Sequence, residues 1–172
     1  MRAWIVAAGL IEGDEGIVLV LNRRRDGSLD WSPPGGVIEV HDGESVTDGL
    51  TREVQEETGL IVDDWEGPVY AVEVTALDLG WTLLAETFVA RAWRGELTVA
   101  DPDGIVVDAR FVAPELWSDH LQGTRPWVRE PIEEWLAGPG GVERVAMAAL
   151  APARFRYRID GNAESGGVVR LP

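Results

Sequence analysis

Two apolar segments open the chain, residues 4–11 and 17–21, separated by Glu12-Gly13-Asp14-Glu15-Gly16. This pattern predicts a β-hairpin. The second segment is apolar at every consecutive position, as expected of a strand covered on both faces. It ends in a polar turn over residues 22–27. Trp31-Ser32-Pro33-Pro34-Gly35-Gly36 then excludes a helix, because proline removes backbone donors and glycine admits positive φ. Residues 45–58 are predicted to be helical. Ser45 reads as the N-cap with Asp48 reaching back in a capping box, and Gly59 stands where a left-handed residue would stop the helix.

Farther along, residues 68–76 and 82–93 read as strands around Asp78-Leu79-Gly80, with another strand over residues 107–112. Short helices are predicted over residues 114–117 and 126–136, the latter ended by Ala137-Gly138-Pro139-Gly140-Gly141. Residues 154–159 alternate arginine with Phe155, Tyr157 and Ile159, the pattern of a half-exposed edge strand. From Gly161 onward the composition reads as loosely ordered. With no repeat and no interdomain linker, the expectation is one mixed α/β domain over residues 1–137. A C-terminal extension over residues 138–172 follows, carrying the edge strand and the tail.

The helix carries the first chemical signal. Val46, Leu50 and Val54 form its apolar stripe. At the helical repeat Glu53 and Glu57 fall about 20° to either side of Val46, and Glu56 about 80° away. Three carboxylates thus crowd beside a buried stripe, where like charges at i, i+3 and i+4 repel by roughly 0.2–0.5 kcal/mol per pair. Arg52 can answer part of that charge, reaching Glu56 one turn on. A hard divalent cation answers it better, since magnesium prefers carboxylate oxygens. Alone, such a charged helix pattern is common. Here a Pro-Gly-Gly turn precedes it, and a glycine-rich entry such as Gly36 puts backbone N–H groups near an anion.

Composition narrows the field. The net charge is −15 and all 15 basic residues are arginine, so a polyanionic duplex is repelled while divalent cations are attracted. With no cysteine there is neither a disulfide nor a thiolate zinc site, and His41 and His120 alone make no histidine-rich centre. No apolar run approaches the roughly 20 residues that cross a bilayer. Residues 4–11 resemble a short signal core but carry no convincing cleavage site, so they read as a strand of a cytoplasmic protein with no membrane partner. The Gly-x-Ser-x-Gly and phosphate-loop signatures are absent, which removes a serine hydrolase and a P-loop NTPase. Of the eight tryptophans, one or two are expected to stack on a base and the rest to pack.

Residues 36–60 resemble the Nudix box, Gly-x5-Glu-x7-Arg-Glu-U-x-Glu-Glu-x-Gly-U, with U an apolar residue. Glu44 stands eight positions before Arg52, and Arg52-Glu53-Val54-Gln55-Glu56-Glu57-Thr58-Gly59-Leu60 matches every specified position. One departure is clear. Residues 37–43 make seven positions between Gly36 and Glu44 where the pattern has five, a two-residue insertion in the loop. Looser similarity runs over residues 2–136, with Arg23 ahead of Trp31-x-x-Pro-Gly-Gly and a late strand before Pro114-Glu115-Leu116.

The resemblance implies a Nudix-type α/β/α sandwich with a mixed β-sheet. It also implies hydrolysis of a diphosphate linkage in a nucleoside diphosphate joined to another moiety, with Mg2+ as cofactor and Mn2+ as substitute. Carried over by position, Glu53, Glu56 and Glu57 hold the metal, and Glu53 is also a candidate general base. Arg52 orients a helix carboxylate, Glu44 braces the loop, and Gly59 ends the motif. Arg23, Gly36 and Glu86 are candidate substrate contacts. A second acidic group often assists in the family, for which Glu86, Asp103 and Asp108 are candidates. Glu86 is preferred because it lies in an apolar strand. Substrate markers for ADP-ribose, NADH or dinucleoside polyphosphates are not recognisable downstream, so a nucleoside triphosphate (ordinary or oxidised), ADP-ribose or a nucleotide sugar all stay open. The alternative is a Nudix-like sensor that binds a small nucleotide without cleaving it. Loss of helix glutamates would mark such a sensor, and none is lost. A homodimer is common in similar proteins.

Overall fold

The N-terminal strand β1 (Arg2–Leu10) does not pair with the apolar segment that follows it. A computed structural model of the chain describes residues 1–40, 43–138, 140–161 and 167–172. At Ile11 the backbone crosses from one sheet to another. The predicted hairpin is there, but it forms between β2 (Glu12–Gly13) and β3 (Gly16–Arg23). β3 also pairs with β4 (Leu29–Ser32), and its Ile17, Val18, Leu19 and Val20 are all buried, as its unbroken apolar run requires. After β5 (Gly35–Val37) comes the predicted helix, α1 (Val46–Thr58). The Pro-Gly-Gly segment is therefore a short strand-turn-strand passage. Of the inserted loop, His41 and Asp42 lie outside the described residues.

The caps of α1 follow the sequence closely. Ser45 Oγ accepts from the Asp48 backbone N–H at 3.1 Å, an interaction worth about 1 kcal/mol. The reciprocal half differs from the expected box: Ser45 Oγ donates to Asp48 Oδ2 at 2.6 Å. Gly59 takes φ 74°, a left-handed cap that glycine adopts without strain.

β6 (Ile61–Ala76) and β7 (Trp81–Arg94) are longer than expected. The sequence pattern predicts that Pro68 begins a strand. It sits instead at an irregularity between Glu66 and Tyr70, where the register shifts and no ladder donor is lost. β8 (Val106–Val112) returns beside β3. The helices α2 (Trp117–Leu121) and α3 (Pro126–Ala137) follow, and then α4 (Val142–Leu150), which the sequence reading did not foresee. β9 (Ala153–Asp160) and β10 (Gly167–Leu171) close the chain.

The described strands form two sheets, in a fold of mixed α/β character. The larger has the order β10-β9-β6-β7-β1-β5, with β1 parallel to β7 and β9 parallel to β6. The smaller joins β2, β3 and β4, with β8 on the far side of β3. β9 was expected at an edge and is interior, flanked by β6 and β10. Its alternation survives because Phe155, Tyr157 and Ile159 face the core while the arginines face out. Part of the stretch expected to be loosely ordered is strand β10; residues 162–166 lie outside the described residues.

Two apolar cores lie on opposite faces of the larger sheet. α1 covers one, with Ala7, Val18, Leu50, Val54, Val62 and Phe88. The other gathers Val72, Val74, Leu121, Ile132, Val145 and Tyr157 on the side of α2, α3 and α4. No described helix is long and apolar enough to cross a membrane.

Candidate active site

The stripe Leu50–Val54 is fully buried against the sheet and fixes how α1 presents its carboxylates. Glu57 goes under with the stripe, only 9% exposed, as its helical offset requires. Its Oε2 accepts a 2.8 Å hydrogen bond from the Gly35 backbone N–H. Burial pushes the Glu57 carboxyl up to about 8. The Gly35 bond opposes that rise, and the charges of Glu53, Asp101 and Glu56 add to it.

Glu53 is partly buried and lies flat against Gly36. A Cβ at that glycine would stand 2.4 Å from Glu53 Oε2, so only glycine permits the approach. Burial raises the Glu53 carboxyl, Arg52 opposes, and the charges of Glu56 and Asp103 push the same way as burial. Glu56 is the most open of the three.

Arg52 ties the group together. Its Nη1 donates to Glu53 Oε1 at 2.7 Å and more weakly to Glu56 Oε2 at 3.4 Å. Nε and Nη2 form a fork on the two oxygens of Glu44, at 2.9 and 3.1 Å. Glu44 Oε2 also accepts from the Glu39 backbone N–H at 3.1 Å, so one carboxylate links the loop to the helix. These bonds hold the Glu44 carboxyl below its usual range, Arg52 first and Glu39 second.

Among the described residues no three acidic groups converge on one point as a finished cation cage, because Arg52 draws Glu53 and Glu56 and Gly35 holds Glu57. The donors nevertheless suit a hard divalent cation. All are carboxylate oxygens, and two of them sit where burial disfavours a charge that a cation would restore.

The three candidates for a second acid separate cleanly. Glu86 shares a sheet row with Ala7 and Ala71, and Ala7 in turn stands opposite Gly36. Glu86 therefore opens on the α1 face but roughly two strand spacings, ~10 Å, from Gly36. Asp108 is engaged at 2.7 Å by Arg110. Asp103 lies on the loop between β7 and β8, close enough for its charge to act on Glu53. The sequence reading missed Asp101, which builds that loop. Its Oδ2 accepts from the Ile105 and Val106 N–H groups at 2.7 and 2.8 Å, and its Oδ1 from Asp103 N–H at 3.1 Å. The signal was an acidic pair in an Asp-Pro-Asp-Gly turn.

A cavity of about 640 Å³ opens on the other face of the sheet and reaches Gly35 and Gly36 at its edge. Trp4, Trp81 and Trp127 give it aromatic walls, while Asn22, Arg24 and Arg125 bring polar groups. That mixture of apolar lining and a few fixed polar atoms is typical of small-molecule sites. Asn22 Nδ2 is committed to Ser32 Oγ at 2.9 Å, and Arg24 to Asp30 at 2.6 Å. Tyr70 lines the cavity as a neutral phenol, pushed up to about 12 by burial against the pull of Thr87. Arg23, the expected phosphate contact, is exposed at the end of β3 and does not line this cavity; its neighbour Arg24 does. A shallower depression of about 590 Å³ runs along the outer side of α1 past Arg52 and Glu56.

The sequence and the fold both have counterparts among known proteins. Residues 1–136 match the family model described as NUDIX domain. A NUDIX hydrolase from Nitrosomonas europaea is similar at 28% identity and TM-score 0.58, over 80% of this chain and 90% of that one. A MutT protein from Bacillus halodurans aligns at 18% identity and TM-score 0.63, over 96% of this chain and 97% of its own. The E. coli ORF135 protein aligns at 20% identity and TM-score 0.62, covering 82% and 96%. No curated protein matches the sequence.

Proposed function

Since the chain belongs to the Nudix family of pyrophosphohydrolases, we propose that it hydrolyses a diphosphate linkage in a nucleoside diphosphate derivative with Mg2+, or Mn2+ in its place, held by Glu53, Glu56 and Glu57. One observation carries this reading. The buried Glu57 and the half-buried Glu53 both face the Gly35-Gly36 turn, where the cavity begins.

A bound divalent cation would polarise the phosphoryl oxygens and favour a water nucleophile. The chain's own residues do the rest. Gly35 and Gly36 let the backbone approach a phosphate closely. Glu53, freed from Arg52, takes the proton of the attacking water at a carboxylate oxygen. Arg52 and Glu44 orient the helix carboxylates and hold the loop. Asp103 is preferred over Glu86 as the assisting acid. The aromatic cavity takes the nucleoside end, and the products are a nucleoside monophosphate, or related ester, and the phosphorylated remainder. The expected compartment is the cytoplasm.

A screen of nucleoside triphosphates, ADP-ribose and nucleotide sugars with Mg2+, with products identified by chromatography, tests the reading. Release of monophosphate from at least one substrate, lost in Glu56→Gln and Glu57→Gln, is the expected result. Tight nucleotide binding without any product would instead make the protein a sensor.

A further inference from the structure

The far wall of the cavity comes from residues beyond the family match. That match ends at residue 136, yet Ile159 on β9 and Val168 on β10 both line the cavity. The two stand directly opposite one another in the β9–β10 ladder, so they form a single cross-strand pair.

This wall is firmly held. Phe155, Tyr157 and Ile159 are buried in the core shared with α3, and β9 is laddered to β6. Tyr157 Oη donates to Glu130 Oε2 at 2.9 Å. From β10, Arg170 reaches Glu130 at 3.7 Å and also pairs with Glu134. The strands are therefore fastened to α3, whose N-terminal end brings Arg125 and Trp127 to the same cavity. A small, rigid, apolar pair at the end of an aromatic slot limits what the slot admits without touching the diphosphate end.

We propose that the β9–β10 pair is a specificity element, with Ile159 and Val168 setting the largest ring system the cavity accepts. This rests on the reading that the cavity takes the nucleoside end of the substrate. Val168 is only partly buried on an outer strand and packs beside the core at the cavity, so a larger side chain there has the cavity itself to grow into.

The test compares a purine with a pyrimidine nucleoside triphosphate, which share the diphosphate and differ in ring size. Val168→Trp should lower kcat/KM for the purine roughly tenfold or more relative to the pyrimidine. The change should lie in KM, with kcat little altered. Val168→Ala, which widens the wall, should move the ratio the opposite way, toward the purine. A purine-to-pyrimidine ratio unchanged in Val168→Trp, or equal losses on both, would overturn the proposal while leaving the hydrolytic reading intact. If the wild-type protein hydrolyses neither, the same ratio, taken from calorimetric binding of the two nucleotides, decides the wall. The hydrolytic reading is decided separately by the screen that includes ADP-ribose and nucleotide sugars. Failure to bind either nucleotide overturns the proposal for the wall.

Discussion

The backbone N–H of Gly35 donates a 2.8 Å hydrogen bond to Glu57 Oε2, fastening the buried end of the carboxylate helix to the turn at the cavity's edge. Any change in the charge of Glu57 is therefore felt by the turn.

Glu57 should make the metal-free protein sensitive to pH. Its carboxyl is pushed up from 4.5 to about 8, so the folded state keeps a proton that the unfolded chain gives up. The stability this contributes is fully present below about pH 4.5 and is lost as pH rises through about 8. Glu53, also raised, acts in the same direction. Urea midpoints measured in chelator at about pH 5.5 and 8.5 should fall toward the alkaline side. Glu57→Gln should flatten most of that fall, and Mg2+ should reduce it, because the ionised carboxylate is the ligand form. An equally steep decline in Glu57→Gln would remove Glu57 as its source.

Gly36→Ala should cost activity rather than fold. The new Cβ would stand 2.4 Å from Glu53 Oε2 and must displace that side chain. We expect kcat to drop by roughly 10²-fold, as small misplacements of reacting groups commonly cause. The melting temperature should change little. Wild-type turnover in this variant would mean that the pose of Glu53 does not matter to catalysis.

Glu53→Gln should separate chemistry from binding. Loss of a general base typically costs about 10²–10⁴-fold in turnover. Nucleotide affinity with Mg2+ present, followed by calorimetry, should stay close to wild type. A variant that turns over normally would move the base to another residue.

Asp103→Asn should reduce kcat more than Glu86→Gln. Asp103 acts on Glu53 electrostatically, whereas Glu86 opens about two strand spacings from Gly36. Parallel kinetics on the two variants check this. The reverse order would return the assisting role to the strand.

The sequence was most legible where structure is local. Ser45, Gly59 and the offset of Glu57 from the buried stripe all follow from helix geometry, and the structure keeps each of them. The nine consecutive residues from Arg52 to Leu60 that carry the family resemblance are local in the same sense. What escaped is non-local. Nothing in residues 4–21 says that β1 leaves its neighbour for β7, since that pairing depends on a strand some seventy residues on. The arginine alternation in β9 suits an edge, and its interior place depends on β10, a strand too short and polar to announce itself. Among Glu86, Asp103 and Asp108 the sequence alone sets no distance to the helix: a lone carboxylate in an apolar strand invites attention, and turns are ordinarily rich in aspartate.

The parallel pairing of β9 with β6 has a bearing on how the chain is made. β6 leaves the ribosome early, together with β1 and β7, but one of its hydrogen-bonding edges waits for residues 153–160. During synthesis at roughly 5–20 residues per second the nascent sheet carries that open edge for several seconds. An unpaired edge beside apolar Val72 and Val74 is a template for association with other chains. That edge is covered only once the late strands have emerged.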